Sequence, residues 1–417
     1  MVYKFIRAAL ILCVPVCLFV FGAYFLIRLR FFFSLKGKLK GALAKKQGGR
    51  SGVWSLMLAL AGTLGVGNIV GIADAIIHGG AGAVFWMWVS CAFAAAVKYA
   101  ETALAACKRM SIGTDRHGGA LYYIRSGAVK AIFAALCVFC SLTMGSALQS
   151  KATAQALELS SSAPPIIIGA LMAALTFAVV FGGRRRIFDL CTSLVPIMTL
   201  LFVIFSLIAI GTRSSALPRA FEKIISGAFD LKGASFGIGA GALTAIRYGV
   251  VRGLLSNEAG CGTSPMAHAA SDEDADVQGA LGVVEVVVDT AVLCSLTALT
   301  VLSSGLDASV YSSGMELVFD AYAVTFPRVG APFIAVSIFL FAFASIVCWA
   351  FYGSECVFFY SKKKTAQKIY SLAVCAAVFA GAVLSSSLLF SLSDICVGAM
   401  TIINSAAVFS NRKEIFK

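Results

Sequence analysis

The chain has 417 residues, 59% of them hydrophobic and 13% charged, with a mean hydropathy of +0.91. A soluble protein of this size carries roughly 25% charged residues, so the composition excludes one and specifies a polytopic membrane protein in a lipid bilayer. The net charge of +14 does not call for nucleic acid, because basic residues cluster in short segments between apolar runs, as membrane topology requires.

Eleven apolar segments approach the ~20 residues that a helix needs to cross the hydrocarbon core. They fall at 6–27, 53–79, 83–107, 128–157, 164–183, 187–211, 234–256, 277–303, 331–359, 367–386 and 391–410. Lys4 and Arg7 precede the first segment, as in a signal peptide. Its apolar run is long enough to span and eight basic residues follow it, which favours a retained helix. With the N-terminus outside, 23 of the 34 basic residues fall in inside loops and seven outside. That bias fixes the orientation, and an odd number of spans puts the C-terminus in the cytoplasm.

The second span carries the most informative stretch, Gly62-Thr63-Leu64-Gly65-Val66-Gly67-Asn68-Ile69-Val70-Gly71. A lipid-facing helix has no use for four glycines in ten residues. Backbone unwinds in a bilayer only where it lines a cavity, so an interrupted helix at mid-membrane reads as the binding site of a transporter. The seventh span repeats the pattern, with glycines at 237, 239, 241, 249, 253 and 260. It lies five spans later and enters from the opposite side. The predicted fold is all-α, with 11 transmembrane helices and a five-plus-five inverted repeat of spans 2–6 and 7–11, whose helices 2 and 7 are discontinuous. Residues 1–50 form an extra helix and a basic cytoplasmic loop. Residues 51–417 form the core, in halves 51–213 and 233–417. A mid-membrane break presents N–H groups at one half-helix start and C=O groups at the other's end. The N–H end suits a carboxylate and the carbonyls suit a sodium ion or an ammonium group.

Several other features carry less. The thirteen cysteines sit almost wholly in apolar runs, where Cys acts as a small hydrophobe. Cys137 and Cys140 form a CxxC within span 4 that reads as packing, and no metal site is implied by them. Asp74 is an acid inside a span, which costs about 3 kcal/mol at a helix centre. It either binds a substrate ammonium, a second cation or a proton, or pairs with His78 one turn on. Glu101 has Lys98 three residues before it, which reads as a structural pair. Glu285 and Asp289 share one face of span 8 and are expected to meet Arg247 and Arg252. His268 and the acids Asp272, Glu273, Asp274 and Asp276 read as a solvated inner loop. Ser256, Asn257 and Glu258 close span 7 as a glycine-capped helix end, as an inner gate, or as both. Phosphate-binding motifs are missing, with no GxxxxGK[ST] loop and no dinucleotide fingerprint, and the GxSxG spacing at Gly233–Gly237 lies in an apolar run, not at a strand-to-helix elbow. The chain therefore reads as no enzyme, and its transport as ion-driven.

The segments GTLGVGNIVGIADAI (62–76), GAVFWMW (82–88), KYAE (98–101), AIRYGVVRGLLSNEAGCG (245–262) and AHAA (267–270) resemble those of the alanine/glycine:cation symporter family, in the same order and over nearly the whole chain. The resemblance implies the fold of the bacterial leucine transporter and import of small neutral amino acids, alanine or glycine, coupled to Na⁺ or H⁺ across a bacterial cytoplasmic membrane. It places Thr63, Gly65 and Gly67 against substrate, Gln149 at a polar position of span 4, and Trp349 as the aromatic that closes the pocket. It places Ser345 as a hydroxyl suited to sodium, with span 2 backbone near Gly62 and Gly65. No cofactor is implied beyond the coupling ion. The chain departs from the family's usual threonine at Val66, threonine or alanine at Asp74, proline at Ala81, serine at Ala344, glutamate at Ser354 (Glu355 follows) and proline at Ile403. Alternatives of a proton-coupled carrier using Asp74 and a non-transporting amino-acid sensor are kept; the longest polar stretch, 28–50, is short for an output domain.

Overall fold

The computed structural model describes residues 2–28, 52–230, 241–384 and 387–415. They are almost entirely helical. Helix α1 is Val2–Arg28, and the second predicted span divides into α2 (Gly52–Thr63) and α3 (Val70–Gly79), joined by a single 3-10 turn, Val66–Asn68. Then come α4 (Gly82–Cys107) and a short antiparallel hairpin, β1 (Met110–Ile112) with β2 (Asp115–His117), in which Ser111 faces Arg116. Helix α5 (Gly127–Ser161) ends where Ser162 turns left-handed. Pro164 and Pro165 start α6 (Pro165–Val180), where a missing N–H costs nothing. Helices α7 (Gly183–Gly211), α8 (Leu217–Ala228), α9 (Ala242–Asn257), α10 (Ser264–His268), α11 (Ala275–Ser303), α12 (Gly314–Thr325), α13 (Gly330–Tyr360), α14 (Lys364–Val383) and α15 (Ser387–Ser410) follow, with two single helical turns, Ala120–Tyr123 and Arg412–Ile415, besides.

Seven of these helices are long and apolar enough to cross a membrane: α4, α5, α7, α11, α13, α14 and α15, the last over Ser391–Ser410. The outward face of α7, and that of the shorter α6 beside it, is apolar. Ile166, Ile167, Ile197, Leu200, Leu207 and Ile208 are all exposed, apolar surface of the kind a membrane covers. Helix α13 is apolar on every side, the mark of a buried helix, and Phe341, Trp349, Phe351 and Tyr352 on it are fully buried.

Two packing relations position the site. Helix α2 packs against α10, and α3 packs against α9. The first half of one interrupted segment thus meets the second half of the other, so the two run antiparallel with their gaps side by side. Helix α13 packs along α2 and α5 and closes the third side.

The second gap differs from expectation. Helix α9 runs unbroken from Ala242 to Asn257, through Gly249 and Gly253. At Gly249 an added Cβ would strike the Ala83 carbonyl, and at Gly253 the Ser90 hydroxyl. These glycines let α9 lie against α4, as small residues do in membrane helix pairs. The chain leaves the helix only after Asn257. Glu258 is left-handed (φ 51°), as are Gly260 (φ 78°) and Gly262 (φ 83°), before α10 begins. Residues 231–240, which hold the upstream glycines at 237 and 239, lie outside the described residues, as does most of the 28–50 loop.

Candidate functional site

The site begins at the gap between Thr63 and Val70. Two of its N–H groups are held by side chains: Gly65 N donates to Asn68 Oδ1 (3.1 Å) and Val66 N to Gln149 Oε1 (3.2 Å). Gly65 has no side chain because the Gln149 amide lies against it, 3.2 Å from where a Cβ would stand. Gly67 is the opposite case. It is exposed, and an added Cβ there would meet nothing within 4 Å. Thr63 is buried, its hydroxyl turned back to Leu60 O at 3.4 Å.

Helix α13 supplies the facing wall. The Ser345 hydroxyl donates to Gly62 O at 3.4 Å, a hydroxyl beside carbonyls at a helix's negative end, which is oxygen chemistry suited to a hard cation. Two turns on, the Tyr352 hydroxyl abuts Gly62 and is buried with no hydrogen-bond partner among the described residues. Trp349 stands against Gly145 of α5 and donates from Nε1 to Glu258 Oε1 (3.1 Å). The second carboxylate oxygen of Glu258 accepts from Thr263 Oγ1 at 2.7 Å. Gln149 thus lies against Gly65, Ser345 beside Gly62, and Trp349 between Gly145 and Glu258, while the Thr63 hydroxyl turns back on its own helix.

The second gap is pinned rather than open. Gly260 N donates to Glu101 Oε1 (3.1 Å), and Gly260 O accepts from Asn404 Nδ2 (2.8 Å). Asn404 also donates to Glu101 Oε2 (2.7 Å), and Tyr123 donates to Asn404 Oδ1 (2.5 Å). Both polar groups of that glycine are spoken for by α4 and α15.

Asn68 joins the two gaps, a role the sequence reading missed. Its Nδ2 donates to Asp289 Oδ1 (2.6 Å) and to Ser256 Oγ (3.1 Å), and its carbonyl accepts from Thr297 Oγ1 (2.9 Å). The signal was present: a lone amide in an apolar run needs several partners.

The buried charges are arranged otherwise than expected. Glu285 does not meet Arg247 or Arg252. It accepts from Lys98 Nζ (3.2 Å) and Ser264 Oγ (2.8 Å) and shares a hydrogen bond with His268 Nε2 (3.0 Å). Lys98 is nearer Glu285 than its helix neighbour Glu101, at 3.8 Å. His268 is fully buried, so it is no part of a solvated loop, although Asp274 and Asp276 nearby are exposed. Asp289 is held by Asn68, Ser256 (2.8 Å) and Thr290 (2.8 Å). Both acids are buried, as a shared face implies, but neither meets an arginine, and 287–294 is wound as a π-helix, which departs from four-residue spacing. Cys137 and Cys140 are buried thiols.

Asp74 lies on α3. Its carboxylate accepts from Gly314 N at the start of α12 (2.8 Å) and lies 3.6 Å from Arg252 Nη2. His78 bonds the Asp74 main-chain oxygen, not the carboxylate. At the opposite end, Glu355 accepts from Arg184 Nη1 (2.9 Å) and bonds His117 Nδ1 (2.7 Å), while Arg116 pairs with Asp272 (2.8 Å). The β hairpin thereby bridges α7 and α13 to the loop after α10.

The family model described as the sodium:alanine symporter family matches residues 2–417. The chain is 33% identical over 403 residues to the "Sodium/alanine symporter AgcS" of Methanococcus maripaludis, covering 92% of this chain and 88% of that one. It is 31% identical over 413 residues to the "Probable sodium/glutamine symporter GlnT" of Bacillus subtilis, with 96% and 86% covered. The fold is similar to that of a solved Na⁺-coupled sialic acid symporter, with a TM-score of 0.61 at 16% identity, over 98% of this chain and 88% of that one. An interrupted helix pair in a lipid-belted bundle, matched along its full length to one family of membrane transporters, is thus no enzyme: the chain belongs to the sodium:alanine symporter family.

Proposed function

We propose that the chain imports small neutral amino acids, alanine or glycine, driven by a sodium gradient across a bacterial cytoplasmic membrane. The observation that carries this reading is the neutral, glycine-lined gap at 63–70 beside Ser345, whose hydroxyl is 3.4 Å from Gly62 O. Carbonyls and a hydroxyl at the end of α2 suit Na⁺, and the N–H groups at the gap suit a carboxylate. Gln149 is to take the substrate ammonium with backbone carbonyls. Its carbonyl oxygen accepts from Val66 N, so the incoming carboxylate displaces it and leaves the amide free to turn. Trp349, backed by Gly145, limits side-chain volume.

The topology proposed with it has 11 spans, the N-terminus outside and the C-terminus cytoplasmic, with inverted halves 51–213 and 233–417 after the extra helix of 1–50. The antiparallel packing of the two interrupted segments and the charge bias of the loops support this. Ser256, Asn257 and Glu258, where α9 ends at the second gap, serve in this reading as the inner gate. Inward movement of the two interrupted helices with α4 and α11 against the rest delivers the substrate. Sodium and amino acid help each other bind by ordering the same gap, which is the coupling free energy. The second reading couples transport to a proton on Asp74, the one acid on the outer half of the first interrupted helix.

Purified protein in liposomes tests both. An inward sodium gradient is expected to drive accumulation of labelled alanine, with unlabelled glycine competing and glutamine competing less. Accumulation that ignores sodium and follows a proton gradient favours the Asp74 reading. Binding without any uptake overturns both.

A further inference from the structure

The second gap is folded around the side chain of its first residue. Glu258 is left-handed at φ 51° although it carries a Cβ, a conformation that non-glycine residues hold only where their surroundings require it. Its main chain closes α9, with its N–H donating to Leu254 O (3.1 Å) and its carbonyl accepting from Cys261 N (3.1 Å). Its carboxylate is buried and holds two donors. Thr263 Oγ1, at the far end of the gap, donates to Oε2 at 2.7 Å, and Trp349 Nε1, on α13, donates to Oε1 at 3.1 Å. A carboxylate offers only acceptors, one oxygen for each of these donors. Trp349 is held from two directions. A Cβ at Gly145 of α5 would strike its Cβ and Cγ, and Tyr352 meets its ring edge-on at 5.7 Å. Those neighbours pack the ring but leave its N–H to be satisfied, and a buried indole N–H needs a partner. The partner is Glu258, so packing ties the ring to α5 and α13, while its hydrogen bond ties it to the second interrupted helix.

We propose that Glu258 is a positioning residue for Trp349 and thereby sets the largest side chain that the carrier admits. The inference rests on the transport reading above in one respect, that Trp349 walls the substrate pocket. Thr263 fixes the carboxylate, and Glu101 and Asn404 fix the backbone of the same gap at Gly260, so the place of the acceptor follows the shape of the gap. When the second interrupted helix moves against α13, the acceptor is withdrawn and the indole is free to change rotamer. The pocket is therefore small only while the gap keeps its present shape. A longer neutral amino acid such as glutamine has to break the Glu258–Trp349 bond before the gap can close around it, whereas alanine leaves the bond in place. Discrimination against bulk is then a property of closure as well as of the wall itself.

The test is competition by unlabelled alanine and glutamine against uptake of labelled alanine by the full-length protein in liposomes under a sodium gradient. It is read together with the indole N–H signals of ¹⁵N-tryptophan-labelled protein in detergent. The chain has four tryptophans, and the signal lost in Trp349→Phe is that of Trp349. Glu258→Ala is expected to move that signal and to lower the ratio of the glutamine to the alanine inhibition constant by roughly tenfold or more. Trp349→Phe keeps a ring and removes the N–H, so it is expected to lower the ratio as far, and the double variant no further. Glu258→Gln keeps one acceptor oxygen and is expected to hold the ratio near that of the parent. Should Glu258→Ala fail to fold or to take up alanine, Thr263→Val loosens the carboxylate while keeping it and is expected to lower the ratio several-fold. A ratio that falls in Trp349→Phe but stays at the parent value in Glu258→Ala, or in Thr263→Val where that variant stands in for it, overturns the inference and leaves the import reading standing. So do losses that add up in the double variant, because the two residues then act separately. A ratio unchanged in every variant, with sodium-driven uptake intact, removes Trp349 from the pocket wall and the inference with it. A parent that takes up no alanine overturns the reading and the inference together.

Discussion

The two gaps in the paired helices are built on opposite principles. At the first, the chain stays in ordinary backbone conformations, and the groups that hold its N–H donors are the neutral amides of Asn68 and Gln149. Such contacts exchange readily for a ligand. At the second, three residues are left-handed, and a carboxylate and an amide fixed on other helices hold Gly260 at both its polar atoms. On the proposed reading the first gap is therefore the place for a ligand. The second has its Gly260 backbone already engaged, and the side chains beside it are engaged as well: Ser256 bonds Asp289, and Glu258 bonds Trp349.

Glycine replacement sharpens this contrast and carries the largest expected effect. Gly260→Ala forces a side chain into φ 78°, with the new Cβ 2.6 Å from Leu18 Cδ2 and 3.0 Å from Ser405 Oγ. Strained backbone of this kind costs roughly 1–3 kcal/mol, and the contacts add to it. A marked fall in melting temperature and in folded yield is expected. Gly67→Ala meets nothing within 4 Å, and Gly67 is not among the left-handed glycines, so its melting temperature is expected to match the parent while alanine uptake falls. Equal loss of stability in the two variants breaks the comparison.

Gln149→Ala comes next. It removes one neutral hydrogen bond to Val66 N, worth about 1 kcal/mol to the fold, so the protein is expected to stay folded. If the amide serves the substrate, the KM for alanine rises tenfold or more, or about 1.4 kcal/mol of binding. A raised melting temperature with unchanged KM makes Gln149 a plug, not a ligand.

How much of this is legible in the sequence depends on what a glycine or an acid is for. The first gap is legible because glycines crowd at 62, 65, 67 and 71 with polar Thr63 and Asn68 among them, and no helix face explains such a run. The second is misplaced because a packing glycine and a left-handed glycine look alike: Gly249 and Gly253 serve helix contact, whereas Gly260 and Gly262 serve the turn. Ser345 is found beside Gly62 as the family resemblance implies. The partners of Glu285 and Asp289 are not legible. Four-residue spacing assumes a regular helix, and the π-helical winding of 287–294 changes which side chains share a face. Nor does spacing reveal that Lys98 reaches α11 across the helix interface instead of pairing only along its own helix.

The smallest expected effect separates the outer end of the first interrupted helix from its centre. Asp74 bonds the first N–H of α12 and lies near Arg252, with both side chains about one third exposed. An ion pair at such a position contributes at most about 1 kcal/mol, and a carboxylate at a helix start contributes about as much. Gly314 itself approaches α3 so closely that a Cβ would meet Val70 O at 2.5 Å, so packing holds α12 in place without the charge. Asp74→Ala is therefore expected to keep alanine uptake within about threefold of the parent, with its sodium dependence and pH response unchanged. A collapse of uptake together with loss of pH response moves the coupling chemistry from the centre of the membrane to this outer contact, and the distinction drawn between the two gaps then no longer says where the driving ion is held.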